Sequence, residues 1–177
     1  MSTPRSARFR SCMAIARCSA PAVVSPAADG YAFFPGLDVA PNGRVDVGYQ
    51  ALKASATGPT AYGTGNATID SFYVQSANGG ATWSASTRVS SVSSDPAASA
   101  QNNLARQFWG DYNTLVSTSA NAFFIYTDSR NGAGCAAVDA FQHGVDGSGP
   151  VTSKPAPGNV CPAQFGNTDV FASKITP

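Results

Sequence analysis

Glutamate is absent from this 177-residue sequence, and its ten acidic residues are all aspartate. Charged residues make up only 12% of the chain and the formal net charge is +1, whereas typical soluble proteins have roughly 25% charged residues. A chain without a basic surface has little to hold a nucleic acid, so nucleic acid is not an expected partner. No apolar run approaches the roughly 20 residues that span a bilayer, so we predict no membrane-spanning helix.

Residues that bind metals are also scarce. The sequence has a single histidine, His143, and four cysteines without a C-x-x-C motif, which argues against a zinc site. We therefore predict no metal and no cofactor. A calcium site built from the hard oxygen ligands of Asp111, Asp128 and Asp139 stays open as an alternative, although the spacing of these residues does not specify one.

The composition favours strands over helices. Glycine (17) and proline (12) are abundant, while the good helix formers other than alanine are rare, and no long segment has helical periodicity. Such a chain is expected to form short strands joined by many turns. The predicted fold class is all-β.

One pattern of four short strands occurs twice. In the first copy, the alternating segments on either side of Asn42 and Gly43 predict a hairpin, because both residues favour positive φ. "TIDSFYVQS" and "TWSASTRVSS" follow as the third and fourth strands. The second copy has only three matching segments, which are "RQFWGDYNTLVST", "AFFIYTDSR" and "NTDVFASKIT".

Antiparallel four-stranded sheets that repeat around an axis are the blades of a β-propeller, and known propellers carry about 4–8 of them. We therefore predict an incomplete β-propeller with about two blades present. Residues 1–22 are expected to be disordered or non-native, residues 23–100 to form one blade, and residues 101–177 to form a second, truncated blade. A self-contained β-sandwich is the alternative.

Cys135 and Cys161 bracket a long loop that is rich in Gly, Pro, Asp and Ser and has no expected core of its own. A disulfide is useful in such a loop, and closing it contributes roughly 3–4 kcal/mol in the chain-entropy model. We predict this bridge, with Cα atoms roughly 4.4–6.8 Å apart. It would place the protein in an oxidising, extracellular compartment, whereas two unrelated free thiols would not.

The stretch "SANGGATW" resembles the Asp-box, or BNR repeat, of the bacterial sialidase family, whose pattern is S-x-D-x-G-x-x-W. Ser76, Gly80 and Trp83 match this pattern, and Asn78 replaces its aspartate. Asn, like Asp, closes a turn by hydrogen bonding to the backbone, and glycine accepts positive φ. The resemblance implies a structural role for these four residues, with the tryptophan buried between adjacent sheets.

Further segments support the same resemblance. "FFPGLDVAPNGRVDVGYQ" and "FWGDYNTLVST" are similar to blade segments of secreted sialidase-like proteins, as is "AFFIYTDSRNG". Over residues 23–177 the resemblance implies a secreted glycoside hydrolase, with a glycan or glycoconjugate such as a sialoside as the ligand. The remaining blades of a propeller, or a second copy of the chain, are further expected partners.

Polar residues are predicted to gather at the end of the sheets that lies opposite the Asp-box turn. Antiparallel meanders place alternate turns at opposite ends, so the Asp-box turn shares its end with Asn42 and Gly43. The opposite end is expected to hold a polar cluster, formed by Arg106, Asp111, Tyr112, Asp128 and Arg130.

The sialidase resemblance implies roles for this cluster. Asp111 or Asp128 would be the acid–base, and Tyr112 (alternatively Tyr126) would be the nucleophile. Arg106 and Arg130 would bind a sugar carboxylate, a task that suits the planar guanidinium. Trp109 would be a platform for a sugar ring. The substrate-binding set is therefore Arg106, Arg130 and Trp109.

The same cluster also admits interpretations without chemistry. A sialidase activates its tyrosine with a glutamate, which this chain lacks, so the full catalytic set is not visible and enzymatic activity stays open. Asp128 and Arg130 would alternatively form a pair that fixes a loop, and Trp109 would pack between strands. The corresponding functions are a non-catalytic glycan- or protein-binding module and an inactive truncated gene product, because fold does not determine function.

Overall fold

The computed structural model describes residues 8–9, 12–13, 17–18, 20–54, 67–110 and 113–177. This part of the chain is mostly β, with about 40% of residues in strands and 15% in helices, which agrees with the predicted class. Its sheets are antiparallel, and none of those described closes on itself. Most of the predicted N-terminal segment 1–22 lies outside the described residues.

The N-terminal strands are short and pair among themselves. The backbone of one two-residue pair aligns Cys12 with Cys18, and the strand nearest the N-terminus pairs with the fourth strand. These strands are β1 (Arg8–Phe9), β2 (Cys12–Met13), β3 (Arg17–Cys18) and β4 (Ala22–Val23).

The first sheet has the predicted meander order. Its strands are β5 (Tyr31–Val39), β6 (Val45–Ala54), β7 (Ala67–Ser76) and β8 (Thr87–Arg88), and each pairs with the next along the chain. The turn between β5 and β6 contains Gly43 at φ 84°, a conformation that glycine adopts without steric cost. The fourth strand is only two residues long.

The second half of the chain has a strand in each of the three segments of the predicted second copy, but the first of these strands begins later than predicted. The segment expected to begin an inner strand at Arg106 instead forms a small hairpin of β9 (Gln101–Asn102) and β10 (Arg106–Gln107). Its turn places Asn103 and Leu104 at positive φ, which fits a hairpin turn. The three-stranded sheet follows, with β11 (Thr114–Ser117), β12 (Ala122–Asp128) and β13 (Asp169–Ile175).

The sequence suggested that the segment between Cys135 and Cys161 is an irregular loop. The structure shows two helices there, an eleven-residue helix, α1 (Ala136–Asp146), and a short helix, α2 (Pro157–Val160). Two further short segments form 3₁₀ turns, Ala27–Asp29 and Pro96–Ala98. In α1, Val138 and Gln142 are one turn apart and both are buried, so the helix packs on the protein through one face. The helix ends where Gly147 adopts φ 79°, a common way for helices to end.

The predicted disulfide is confirmed. Cys135 and Cys161 are joined, with Cα atoms 5.2 Å apart, inside the expected range. Cys135 is also the residue that precedes the first turn of α1, where its carbonyl accepts hydrogen bonds from two amides of that turn. The bridge therefore holds the start of the helix, and it is compatible with an extracellular protein.

The two larger sheets pack face to face, with β11 against β5 and β6 and with β12 against β6. A Cβ atom on Gly48 would lie 2.5 Å from a ring carbon of Phe124, so the close approach of the sheets requires glycine there. Phe124 is fully buried, and burying such a side chain is worth about 1.5–3 kcal/mol. The cluster between the sheets consists of Tyr73, Leu115, Ala122, Phe124 and Tyr126.

The other face of the first sheet carries a second core cluster, and Trp83 belongs to it. Trp83 is partly buried against a group that includes Val47, Tyr49 and Val74. We expected Trp83 to fill the space between the two sheets, but it packs on the opposite face of the first sheet. Side chains alternate along β6, so its even-numbered residues point to the second sheet and its odd-numbered residues point to Trp83.

In the residues that the structure describes, no helix is both long and apolar enough to cross a bilayer.

Candidate functional site

The Asp-box-like turn is closed by its own side chains. The Ser76 hydroxyl accepts a hydrogen bond from the Gly80 amide at 2.8 Å and donates to Oδ1 of Asn78 at 2.9 Å. Gly79 and Gly80 both have positive φ, at 67° and 89°. The turn is thus fixed by local bonds from short polar side chains, the mechanism expected of Asn and Ser in turns.

Asn78 does what the aspartate of the pattern would do, and one thing more. Its Oδ1 accepts a hydrogen bond from the Thr82 amide at 2.9 Å, as a carboxylate oxygen would. Its Nδ2 donates to the Thr82 hydroxyl at 2.8 Å, which an ionised aspartate cannot do. Replacement of Asp by Asn therefore keeps the turn intact, and the bonds of this network serve the turn itself.

A buried ionic cluster joins the two sheets at the same end. Asp46 is fully buried and accepts hydrogen bonds from Arg44 Nε at 2.8 Å, Tyr73 Oη at 2.6 Å and Ser117 Oγ at 2.6 Å. Burial alone would raise the pKa of Asp46, but the bonds from Arg44, Ser117 and Tyr73 outweigh it and lower that pKa. Arg44 also donates to the carbonyl of Ser119 at 3.1 Å. The cluster is a structural link between sheets.

Asp128 and Arg130 lie at the opposite end of the sheets and are bonded to each other. Asp128 is only 2% exposed, and its carboxylate accepts from the Arg130 amide at 2.7 Å, from Arg130 Nε at 2.9 Å and from the Ser94 hydroxyl. The Arg130 guanidinium also contacts the hydroxyl of Ser91 at 2.8 Å and lies 4.2 Å from the centre of the Phe171 ring. Hydrogen bonding to Asp128 raises the pKa of Arg130. This geometry is that of a loop-fixing pair.

Of the remaining candidates for chemistry, Tyr126 lies in the part of the chain that the structure describes. Tyr126 is buried between the sheets, and its hydroxyl lies 3.0 Å from the Ser173 hydroxyl, so it is not exposed to a substrate. Asp111 and Tyr112 lie outside the described residues, and their predicted roles stay predictions. Among the described residues, the structure engages Asp128 with Arg130 and Ser94.

Trp109 lines a largely apolar cavity of about 230 Å³ at this end, which we name the aromatic cavity. Its indole N–H donates to Gln50 Oε1 at 2.9 Å. Gln50 is 1% exposed and is itself held by a bond from its Nε2 to the Thr127 carbonyl at 2.8 Å. The lining residues are Tyr31, Ala32, Phe33, Leu52, Ile69, Pro96, Gln107 and Trp109.

An irregularity in β5 lies directly beside this cavity. The register with β6 shifts between Phe33 and Gly36, and Phe34 adopts φ 47°, a left-handed conformation that is uncommon for an aromatic residue. The Phe34 carbonyl accepts a hydrogen bond from Asn113 Nδ2 at 3.3 Å. Bulges and strained residues cluster at binding sites, so this feature agrees with a role for the cavity that Phe33 lines.

A second cavity of about 300 Å³, which we name the polar cavity, adjoins the first, and Gln107 lines both. Arg106 is exposed on its wall, and Asp146 stands at the end of α1. The Nε2 atom of His143 is buried there without a hydrogen-bond partner among the described residues. The lining residues are Ala105, Arg106, Gln107, Gln142, His143 and Asp146.

No three His, Cys, Asp or Glu residues group together as metal ligands in the described part of the chain. Of the alternative calcium set, Asp111 is not described and Asp128 is already bonded to Arg130. Asp139 lies in the first turn of α1, where burial and the nearby charge of Asp95 raise its pKa to about 6.

Sequence reasoning missed several residues of the two cavities. Gln50 and Gln107 are single glutamines in segments read as strands, and Gln142 stands in an unpredicted helix, so no local motif marks them. Tyr31 and Phe33 carried only a strand signal.

Comparison of the chain with protein-family models, with curated proteins and with solved structures found no match.

Proposed function

We propose that this chain is a sialidase-like Asp-box protein that binds carbohydrate in the aromatic cavity and does not hydrolyse it. The family resemblance supports the class of ligand. The hydrogen-bonded turn of Ser76, Asn78 and Gly80 supports the resemblance, since it is closed in the manner that the pattern implies.

The observation that carries the proposal is the anchoring of Trp109. Its indole N–H is held by the buried Gln50, so the polar atom of the side chain is satisfied inside the protein while the ring lines a cavity with Tyr31 and Phe33. Rigid aromatic faces bind the apolar faces of sugar rings, and a pre-fixed side chain loses little entropy when a ligand arrives.

Hydrolysis is not supported by the same region. A glycosidase needs two suitably placed catalytic groups, a requirement that sialidases meet with a tyrosine nucleophile. Here the Asp128 carboxylate is bonded to Arg130 and Ser94, Tyr126 is buried, and the chain has no glutamate. The resemblance implies catalytic roles for Asp128 and Tyr126, but the contacts of both residues stabilise the fold.

Binding is tested on an array of immobilised mono- and oligosaccharides, with affinities for the bound sugars then measured by calorimetry. Trp109→Ala should weaken binding about tenfold or more, which corresponds to at least about 1.4 kcal/mol. Phe108→Ala is the matched control, because Phe108 is the adjacent aromatic residue, is 52% exposed and does not line the cavity. Absence of carbohydrate binding, or equal losses in both variants, would refute the proposal.

Turnover is tested with a fluorogenic sialoside. The chain should release no fluorophore above the buffer rate, and a double variant, Asp128→Asn with Arg130→Ala, should give the same result. Hydrolysis by the parent chain that disappears in the variant would show that the pair takes part in catalysis.

A further inference from the structure

The polar cavity and the aromatic cavity meet at one residue, Gln107. We propose that the polar cavity is a second carbohydrate subsite, so that the ligand is an uncharged oligosaccharide of at least two sugar residues that passes over Gln107. This inference rests on the proposed carbohydrate binding, and it adds the length and the charge of the ligand.

The shared wall is held in place by a chain of amides. Gln107 Nε2 donates to Gln142 Oε1 at 2.8 Å, and Gln142 Nε2 donates to Gln101 Oε1 at 2.5 Å. Gln101 Nε2 continues to the carbonyl of Ser99 at 3.0 Å. Gln142 is buried, so the chain ties α1 to the hairpin of β9 and β10. A pre-fixed polar wall between two subsites reduces the cost of ordering it on binding.

The groups on the polar cavity match hydroxyls. Arg106 is an exposed donor, and in the described part of the chain it forms no ion pair. Asp146 is an acceptor, whose carboxylate is already oriented by the Ser148 amide at 2.9 Å. His143 also lines the cavity. Neighbouring sugar hydroxyls supply both donors and acceptors.

The balance of charge argues for an uncharged ligand. The cavity is lined by one arginine, Arg106, and one carboxylate, Asp146. An anionic sugar that was attracted to Arg106 would also be repelled by Asp146, which lines the same cavity. A hydroxyl-rich neutral ring avoids this conflict and uses both residues.

The volumes set the minimum length. The two cavities measure about 230 Å³ and about 300 Å³, at or below the lower limit of the roughly 300–1,000 Å³ typical of small-molecule sites. Each therefore suits one ring-sized group. A monosaccharide would occupy one subsite, whereas a disaccharide would occupy both and gain affinity because the second contact becomes intramolecular.

The test uses the saccharide array with four groups of probes: neutral monosaccharides, neutral disaccharides, longer neutral glycans and their sialylated forms. We expect neutral disaccharides and longer glycans to bind at least about tenfold more tightly than monosaccharides. Arg106→Ala and Asp146→Asn should each weaken disaccharide binding by a larger factor than monosaccharide binding, because only the disaccharide must occupy the polar cavity. Trp109→Ala should weaken both. Arg88→Ala is the control, because it removes an exposed arginine that lines neither cavity.

The possible results separate the two proposals. Monosaccharides that bind as tightly as disaccharides, with loss in Trp109→Ala but not in Arg106→Ala, would overturn the second subsite alone. Binding confined to sialylated glycans would overturn the uncharged ligand. Absence of any sugar binding, or binding indifferent to Trp109→Ala, would refute the proposed function itself. Circular dichroism and a thermal midpoint for each variant show that it is folded; both charge changes are on exposed residues.

Discussion

Replacing Asp46 with asparagine should destabilise the protein strongly, because this carboxylate links the two sheets. It is fully buried and accepts from Arg44 Nε at 2.8 Å and Nη2 at 3.0 Å, as well as from Tyr73 and Ser117. An asparagine side chain at this position has nearly the same shape but only one acceptor oxygen, and its NH₂ group would face donors. The guanidinium of Arg44, which is 9% exposed, would be left without its counter-ion.

The expected loss follows from what happens when one partner of a buried ion pair is removed. Such changes cost about 3–5 kcal/mol, which is a large part of a total stability of about 5–15 kcal/mol. Asp70→Asn is the matched control, because Asp70 pairs with Arg88 at a similar 2.8 Å but in a more exposed position, with 42% of the arginine side chain exposed. Exposed pairs contribute about 0–1 kcal/mol. The two variants remove the same charge, and their environments differ.

Urea unfolding followed by circular dichroism measures both changes. With a slope of about 2 kcal/mol per molar urea, a loss of about 4 kcal/mol moves the midpoint of Asp46→Asn down by about 2 M. The midpoint of Asp70→Asn should move by about 0.5 M or less. Equal shifts in the two variants, or a loss below about 1 kcal/mol for Asp46→Asn, would refute the reasoning.

Acidity gives an independent check on the same residue. The folded protein lowers the pKa of Asp46, so the unfolded chain binds this proton more readily than the folded chain does. The stabilisation is therefore present above the unfolded pKa, which is about 3.9, and is lost as the pH falls through the lower folded value. The difference between parent and variant should shrink on acidification and not grow.

Two further changes test the helical segment. Replacing Cys135 and Cys161 with serine should lower the free energy of unfolding by about 3.5 kcal/mol, from the chain-entropy relation and a sequence separation of 26 residues; a loss below about 1 kcal/mol in non-reducing urea unfolding would contradict this value. Asp139→Asn should raise the thermal midpoint at pH 7 but not at pH 3.5. Burial and the charge of Asp95 raise the pKa of Asp139 to about 6, so the folded state loses stability as the pH rises from the unfolded pKa of about 3.9 through this folded value. A midpoint difference that is the same at both pH values would contradict this effect of Asp139.

Local patterns in the sequence were sufficient for the turns and the longer strands. The turn at Ser76 to Gly80 is built from side-chain bonds within five residues, so its pattern is visible without knowledge of the rest of the fold. Successive side chains of β6 and β7 likewise point to opposite faces of the sheet, and a core cluster lies on each face. In both cases the information that determines the structure lies in neighbouring residues.

Helix α1 could not be predicted in this way, because distant contacts stabilise it. Its first turn follows Cys135, whose bridge partner is 26 residues away, and its buried Gln142 bonds to Gln107 and Gln101. Eleven residues without those contacts would be marginal as a helix in water. The cavities could not be predicted for the same reason, because their residues come from distant parts of the sequence: Gln50 and Trp109 are 59 residues apart in the chain.

The Asp128–Arg130 pair shows why a catalytic motif in the sequence does not establish catalysis. To use Asp128 as an acid, the chain would have to break its bonds with Ser94 and Arg130 and leave a largely buried guanidinium unpaired, at a cost of about 3–5 kcal/mol. Binding a sugar with a dissociation constant between about 1 mM and 1 μM releases only about 4–8 kcal/mol in total. The cost is therefore of the same order as the whole binding energy, and it would be incurred before any bond in the substrate changed. Our proposal of sugar binding in the aromatic cavity leaves the pair closed, because neither Asp128 nor Arg130 lines that cavity.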